Sequence, residues 1–261
     1  MHPYTAARMM STIGALHDRE VDLNLVVGGY KPDLRALGSL IGKDQRYDRL
    51  VEYGRVMAAL LDQGPDDRLA FEGEHYELSG AQVFPPLPPG LRSRTFLAGA
   101  SQAAVRAAEA LGATRLAYLG ELGADDDADF AGTGVRFGVI ARETGDEAWR
   151  TALKRYPSRP AREAVRVLAG TESGWLRKFW RDSQDERPER DVYWMRPFEQ
   201  SRDFCPFLVG SYDEVGELLH RYLRAGVTTL ILNVPHDEDD LFHTAAAVRR
   251  TEELAVTGRA G

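Results

Sequence analysis

Cysteine is nearly absent: the 261 residues include a single one, Cys205, so no internal disulfide forms and a cysteine-built metal site is ruled out. A reducing, cytoplasmic compartment suits that usage. No apolar run reaches the roughly twenty residues that cross a bilayer, and the N-terminus lacks the basic-then-apolar layout of a secretory signal. Basic clusters are missing, and the formal net charge of −7 argues against nucleic acid or an anionic membrane as the main partner. There is no Walker loop, no nucleophile elbow, no nicotinamide fingerprint and no histidine pair at metal-binding spacing. What remains is a chain that is 43% apolar and 28% charged, long enough to bury a core, with a small-molecule substrate as the leading class of partner.

The order of patterns is that of a parallel α/β fold. Ala6, Met9, Met10, Ile13 and Leu16 recur at helical spacing and predict one apolar stripe. Val21–Val27 (VDLNLVV) reads as a strand covered on both faces, and Tyr47, Leu50, Val51, Gly54, Met57, Ala58 and Leu61 mark the next helix. Leu69–Val83 reads as a β-hairpin excursion ended by Pro85, Pro86, Pro88 and Pro89. Strands follow at Arg94–Ala98, Arg115–Leu119, Gly134–Ala141 and Thr228–Asn233, making about five in parallel. Helices are expected at Ser101–Leu111, after Thr144 with Glu147, after Ser211 with Glu214, and from about Leu241. Residues 156–207 break the rhythm. They hold Trp175, Trp180 and Trp194 in a polar setting and read as an insertion with a short helix folding over the site. The whole of 1–261 reads as one domain.

Five places carry candidate chemistry. In Phe96-Leu97-Ala98-Gly99-Ala100-Ser101-Gln102 a strand ends at glycine and a serine takes the N-cap of an alanine-rich helix. N–H groups, helix dipole and hydroxyl then converge on a point suited to phosphate, unless Ser101 only caps its own helix. Asn24, polar within an apolar strand, is either a ring-pairing amide at a barrel mouth or a satisfied buried amide. Tyr47 either places a phenol over the same mouth or simply packs in the core. Arg136, a charge in an otherwise apolar strand, needs a carboxylate or an anionic ligand, and Arg142 follows it. His236, after Pro235 and the last strand, sits either at an active-site mouth or in an ordinary loop. The acidic run Asp125–Asp129 lacks the glycine and terminal glutamate of a calcium loop, so it reads as solvated, and no metal site is expected.

The segments AARMMSTIGALHDREVDLNLVVGG, KDQRYDRLVEY, FEGEHYELSGAQVFPP, FLAGASQAAVRAAE, VRFGVIARETGDEAW, LVGSYDEV and GVTTLILNVPH resemble, in order, the bacterial luciferase-like superfamily of flavin-dependent monooxygenases, closest to its alkanesulfonate monooxygenase branch. That resemblance implies a TIM-type (β/α)8 barrel with reduced FMN (FMNH2) at the C-terminal ends of its strands. By the same resemblance Asn24 approaches the flavin ring, and Tyr47 with Gly99, Ala100 and Ser101 holds the phosphate. Arg136 matches an active-site arginine and His236 a loop histidine. Strand direction alone puts Arg136 toward the closed end and Arg142 toward the mouth.

Two departures bear on substrate: Gly138 and Val234 stand where the sulfonate branch has histidine and tyrosine. Met1 falls where the fourth barrel unit of the family begins, so about a hundred residues of an eight-strand barrel have no counterpart. A mis-assigned start, a partner chain that completes the barrel, and an open half-barrel that forms a homo-oligomer are the competing explanations. The implied reaction inserts one atom of O2 into a small organic substrate through a flavin C4a-peroxide, with FMNH2 supplied by a separate NAD(P)H:flavin reductase. A non-catalytic flavin-binding or subunit-like barrel remnant, and a deazaflavin-dependent oxidoreductase on the same fold, are the alternatives.

Overall fold

A proline at the first helical turn opens α1 (Pro3–His17), where the missing proline N–H costs nothing and the His2 ring accepts the Tyr4 N–H. The computed structural model describes residues 1–39, 41–99, 101–120, 122, 130–158, 162–184 and 188–257. Its chain divides into two compact units, Met1–Gly28 with Leu34–Arg115 and Gly29–Asp33 with Leu116–Gly261.

In the first unit α1 buries Pro3, Ala7, Met10, Ser11 and Gly14, while Met9, Ile13 and Leu16 stay exposed. This corrects the expected stripe. The helix comes closest where its side chains are smallest: a Cβ on Gly14 would lie 2.6 Å from Leu87 of the proline connector. In α3 (Lys43–Leu61) the buried line runs through Tyr47, Gly54, Val56, Met57 and Leu60, with Ala58 turned outward. Gly54 is again the point of approach, since a Cβ there would lie 2.7 Å from Leu111 at the end of α4 (Gln102–Leu111). β1 (Leu23–Leu25) pairs in parallel with β4 (Thr95–Ala98), Asn24 opposite Phe96. The hairpin excursion forms as expected from β2 (Leu69–Glu72) and β3 (Glu77–Ala81). Two α3-side residues fasten it: Glu52 accepts the N–H groups of Glu74, His75 and Tyr76, and Gln63 bonds Ala81 and Val83.

The second unit is organised by one long strand, β6 (Gly134–Arg142), whose residues are buried on both faces as a helix-covered parallel strand requires. Its first half pairs in parallel with β5 (Thr114–Tyr118) and with β9 (Thr229–Leu232). Its second half pairs with β8 (Phe207–Ser211), which carries the two-residue antiparallel β7 (Tyr193–Trp194) on its other edge. All five expected parallel strands are present and β8 is a sixth; the six among the described residues are fewer than the eight that close a barrel of this type. The short FLVGS run was hidden in sequence by the stronger capping signal of Ser211 and Glu214, which forms a reciprocal capping box at α9 (Tyr212–Arg224).

Helices α5 (Gly145–Arg155), α9 and α10 (Glu238–Thr257) cover this sheet. Gly216 lets α9 and α10 approach, since a Cβ there would lie 2.9 Å from Arg250. Among its described residues the 156–207 insertion holds three helices, α6 (Arg162–Gly170), α7 (Gly174–Asp182) and α8 (Arg196–Glu199), rather than the one expected. Trp175, Leu176, Phe179 and Trp180 give α7 the apolar stripe that its arginines mask, and Trp194 is buried edge-on against Trp149 and Tyr156. Among the described residues, no helix is long and apolar enough to cross a membrane.

Candidate active site

The end of β4 and the start of α4 form the first cluster, in the first unit. Ser101 accepts the Ala104 N–H at 3.2 Å and so takes the N-cap, as its sequence position predicts. The first N–H groups of α4 remain directed out of its N-terminus, with the positive end of the helix dipole behind them. Gly99 is held open by its neighbours. A Cβ there would lie 2.6 Å from the Tyr47 hydroxyl and 2.7 Å from the Ala104 methyl, distances no side chain tolerates. Tyr47 packs in the core and also borders this turn. Its ring is buried with Leu97, Ala103 and Ala107, and its hydroxyl stands over the glycine turn. Asn24 is exposed on β1, next to β4, rather than a satisfied buried amide. Ala100 and the Asp125–Asp129 run lie outside the described residues.

The second cluster lies in the second unit, at the C-terminal end of β9, the middle of β6 and the N-terminal end of β8. β9 stops because Pro235 supplies no N–H for the ladder, yet the Asn233 N–H still reaches Phe137 O at 2.8 Å. Asn233 is therefore fixed at the strand end. Its Oδ1 accepts from Arg136 Nη2 at 2.9 Å, and its Nδ2 donates to Asp203 Oδ1 at 2.7 Å. The other Asp203 oxygen accepts from the Tyr156 hydroxyl at 3.1 Å. Burial and the Asp203 charge push the Tyr156 phenol up, so it stays a protonated donor. A cavity of about 100 Å³ is lined by this group together with Gly138, Phe207, His236, Asp240 and Thr244. Arg136 stands behind Asn233 and is not part of the lining.

Asp240 anchors the far wall. Its buried carboxylate binds Arg142 at 2.9 Å and Arg155 at 2.5 Å, one on each oxygen. Burial pulls its pKa upward, but the two guanidinium groups outweigh this and hold it below the usual carboxylate range. Asp237 caps α10 by accepting the Asp240 N–H. The His236 ring is mostly exposed and turned to Asp237 at 3.1 Å, while its backbone N–H meets Asp240. His236, Asp237 and Asp240 come close enough for a metal, but Asp240 is already neutralised by two arginines and helix capping uses Asp237. The group explains itself as an ion-pair and cap network.

The luciferase-like monooxygenase model matches residues 1–229. The chain belongs to that family. Within it, the chain is 30% identical to the 4-(gamma-L-glutamylamino)butanoyl-BtrI acyl-carrier protein monooxygenase BtrO of Niallia circulans, over 250 residues that make up 92% of this chain and 73% of that protein. Among solved structures it shares its fold with the EDTA monooxygenase EmoA of Chelativorans sp. BNC1, at a TM-score of 0.64 and 18% identity, covering 96% of this chain and 71% of that one. A second is the oxygenating constituent of 3,6-diketocamphane monooxygenase from Pseudomonas putida, in complex with FMN, at a TM-score of 0.61 and 17% identity over 95% and 74% of the two chains. As a family member this luciferase-like chain is a flavin-dependent monooxygenase.

Tyr47, Gly99 and Ser101 are brought together in one unit; in the other, Arg136 belongs to the hydrogen-bonded group of Asn233 and Asp203, and His236 to that of Asp237 and Asp240. Sequence reasoning missed Asn233, Asp203, Tyr156, Arg155 and Asp240. Asn233 carries the signal already used for Asn24, a polar residue at the end of an apolar strand, and Pro235 after it marks the strand's end. Asp203 and Tyr156 had no such signal, being near the two ends of the irregular insertion.

Proposed function

We propose that this chain oxidises FMNH2 with O2 and transfers one oxygen atom to a small organic substrate, with FMN phosphate bound at the start of α4. The Gly99 turn carries this reading. A glycine is required where the Tyr47 hydroxyl and the Ala104 methyl close in, and what remains is a cradle of N–H groups and one phenol. Those donors fit a phosphate monoester. Tyr47 and the N-terminal amides of α4 bind and orient it, Ser101 keeps the helix end in place, and Asn24 on exposed β1 offers its amide to a polar ring edge. When bound, reduced flavin supplies the two electrons by which O2 yields one atom to substrate and one to water.

In the second unit Arg136, fixed by Asn233, and His236, beside Asp237, supply the polar and proton-carrying groups around the substrate. Tyr156 and Asp203, at the two ends of the insertion, wall the cavity and exclude water from it. Reduced flavin comes from a separate NAD(P)H:flavin reductase, in keeping with the lack of a nicotinamide fingerprint. Sulfonate is not the substrate we assign: a side chain in place of Gly138 would meet the Phe207 ring at 2.5 Å, so the histidine of the sulfonate branch has no room.

Fluorescence titration of the full chain with FMN tests the reading, followed by O2 consumption with a flavin reductase and NADH. Saturable FMN binding, weakened by Tyr47→Phe, supports it; absence of binding overturns it. Binding that never leads to O2-dependent product formation points instead to a flavin-binding remnant.

A further inference from the structure

Helices α6 and α7 of the insertion form a second opening, which the oxygenase reading does not use. Val165, Leu168 and Ala169 recur at helical spacing on α6, and Gly174, Arg177, Trp180 and Arg181 do so on α7. Together they line an open groove of about 690 Å³, a size that suits a small molecule. It shares no lining residue with the 100 Å³ cavity. Val165 is 55% exposed, so this groove presents to water an aliphatic side chain that the fold leaves uncovered.

The charges on the groove are of one sign. Arg177 and Arg181 stand one turn apart on α7, and no carboxylate is among the lining residues. Arg177 donates to the neutral Thr171 O at 2.6 Å, which fixes its guanidinium without cancelling its charge. Arg181 meets no carboxylate among the described residues. Charges beside the lining do not offset the pair: Lys178 and Asp182 bond each other at 2.8 Å, and Arg166 and Glu172 are one of each sign.

We propose that this groove binds a single-chain aliphatic carboxylate, its head held by Arg177 and Arg181 and its tail laid along Val165, Leu168, Ala169 and the half-buried Trp180. Guanidinium groups match a carboxylate in shape as well as in charge, and the apolar side chains beside them take the tail out of water. Neither contribution depends on flavin.

Titration calorimetry of the full chain with acetate, hexanoate and decanoate, each below its micelle concentration, tests the assignment. Decanoate is expected to bind saturably and at least about fivefold more tightly than hexanoate, since each methylene removed from water adds affinity, while acetate gives no saturation. Decyltrimethylammonium has the same tail and the opposite charge, and is expected to bind at least about fivefold more weakly than decanoate. Arg177→Gln combined with Arg181→Gln should weaken decanoate by a similar factor, and so should Val165→Asp, which sets a like charge in the groove from an exposed position. No saturable decanoate binding, equal or tighter binding of the ammonium compound, no dependence on chain length, or unchanged decanoate affinity in both variants overturns the proposal. Capture of the chain by phosphatidylglycerol vesicles without decanoate binding also overturns it and assigns the face to a lipid surface. The comparison of probes on the unmodified chain decides the matter even where a variant does not fold.

Discussion

A single missing methyl decides the proposed phosphate cradle. Gly99→Ala puts a Cβ 2.6 Å from the Tyr47 oxygen and 2.7 Å from the Ala104 methyl. Overpacking of this kind costs about 1–3 kcal/mol, to be read as a lowered urea midpoint together with weaker FMN binding. Tyr47→Phe removes one of the two clashing atoms, so in the double variant the stability losses are expected to fall short of their sum; strict additivity would remove Tyr47 from contact with the turn. Asp240 makes the opposite point, a residue whose worth is its charge. Replacing it by asparagine leaves Arg142 and Arg155 without a carboxylate in a mostly buried setting, a loss of about 3–5 kcal/mol. The pH dependence follows in sign. A carboxyl depressed in the folded state adds stability that is complete above its unfolded pKa of about 3.9 and is lost as pH falls through the lower folded value. Acid unfolding of the native chain should therefore steepen below about pH 4, and Asp240→Asn should flatten it. Cys205 completes the residue scale. Burial pushes its thiol up to about 12, so it is an inert filler rather than a nucleophile.

Elements form where local signals agree with packing, and that governs what could be read in advance. α4 was legible because capping, periodicity and glycine all fell at one junction, and Ser101 does accept the Ala104 N–H. Ser101→Ala is expected to cost about 1 kcal/mol through the cap, seen in the urea midpoint with or without FMN present. The exposed side of α1 was not legible, because periodicity marks apolar residues and not the approach distance that Gly14 sets against Leu87. β8 was hidden by its own capping box, and α7 by Arg177 and Lys178 between its tryptophans. The insertion owes its order to aromatic packing. Trp194 meets Trp149 at 5.5 Å and Tyr156 at 5.8 Å, and β7 ties it to β8. Trp194→Ala should cost about 3–5 kcal/mol, and through Tyr156 it should also release Asp203, which sequence periodicity had no way to place.

Across the whole chain the two candidate clusters fall in different units: the proposed phosphate cradle in the first, the polar cavity in the second. The resemblance carried in ordered segments gave family and fold class, whereas the cavity network came from contacts between residues as distant as Arg136 and Asn233. This division makes a separable prediction. Tyr47→Phe removes a donor to a charged phosphate and should weaken FMN binding by about 1.5–3 kcal/mol, with the rate at saturating flavin nearly unchanged. Arg136→Ala leaves that cradle untouched, so FMN affinity should hold. It strips the cavity-lining Asn233 of its fixed donor, and substrate-dependent O2 consumption at saturating flavin should fall at least about tenfold. Equal effects of both variants on both quantities would mean that flavin and substrate share one set of contacts, and the assignment of roles to the two clusters would have to be abandoned.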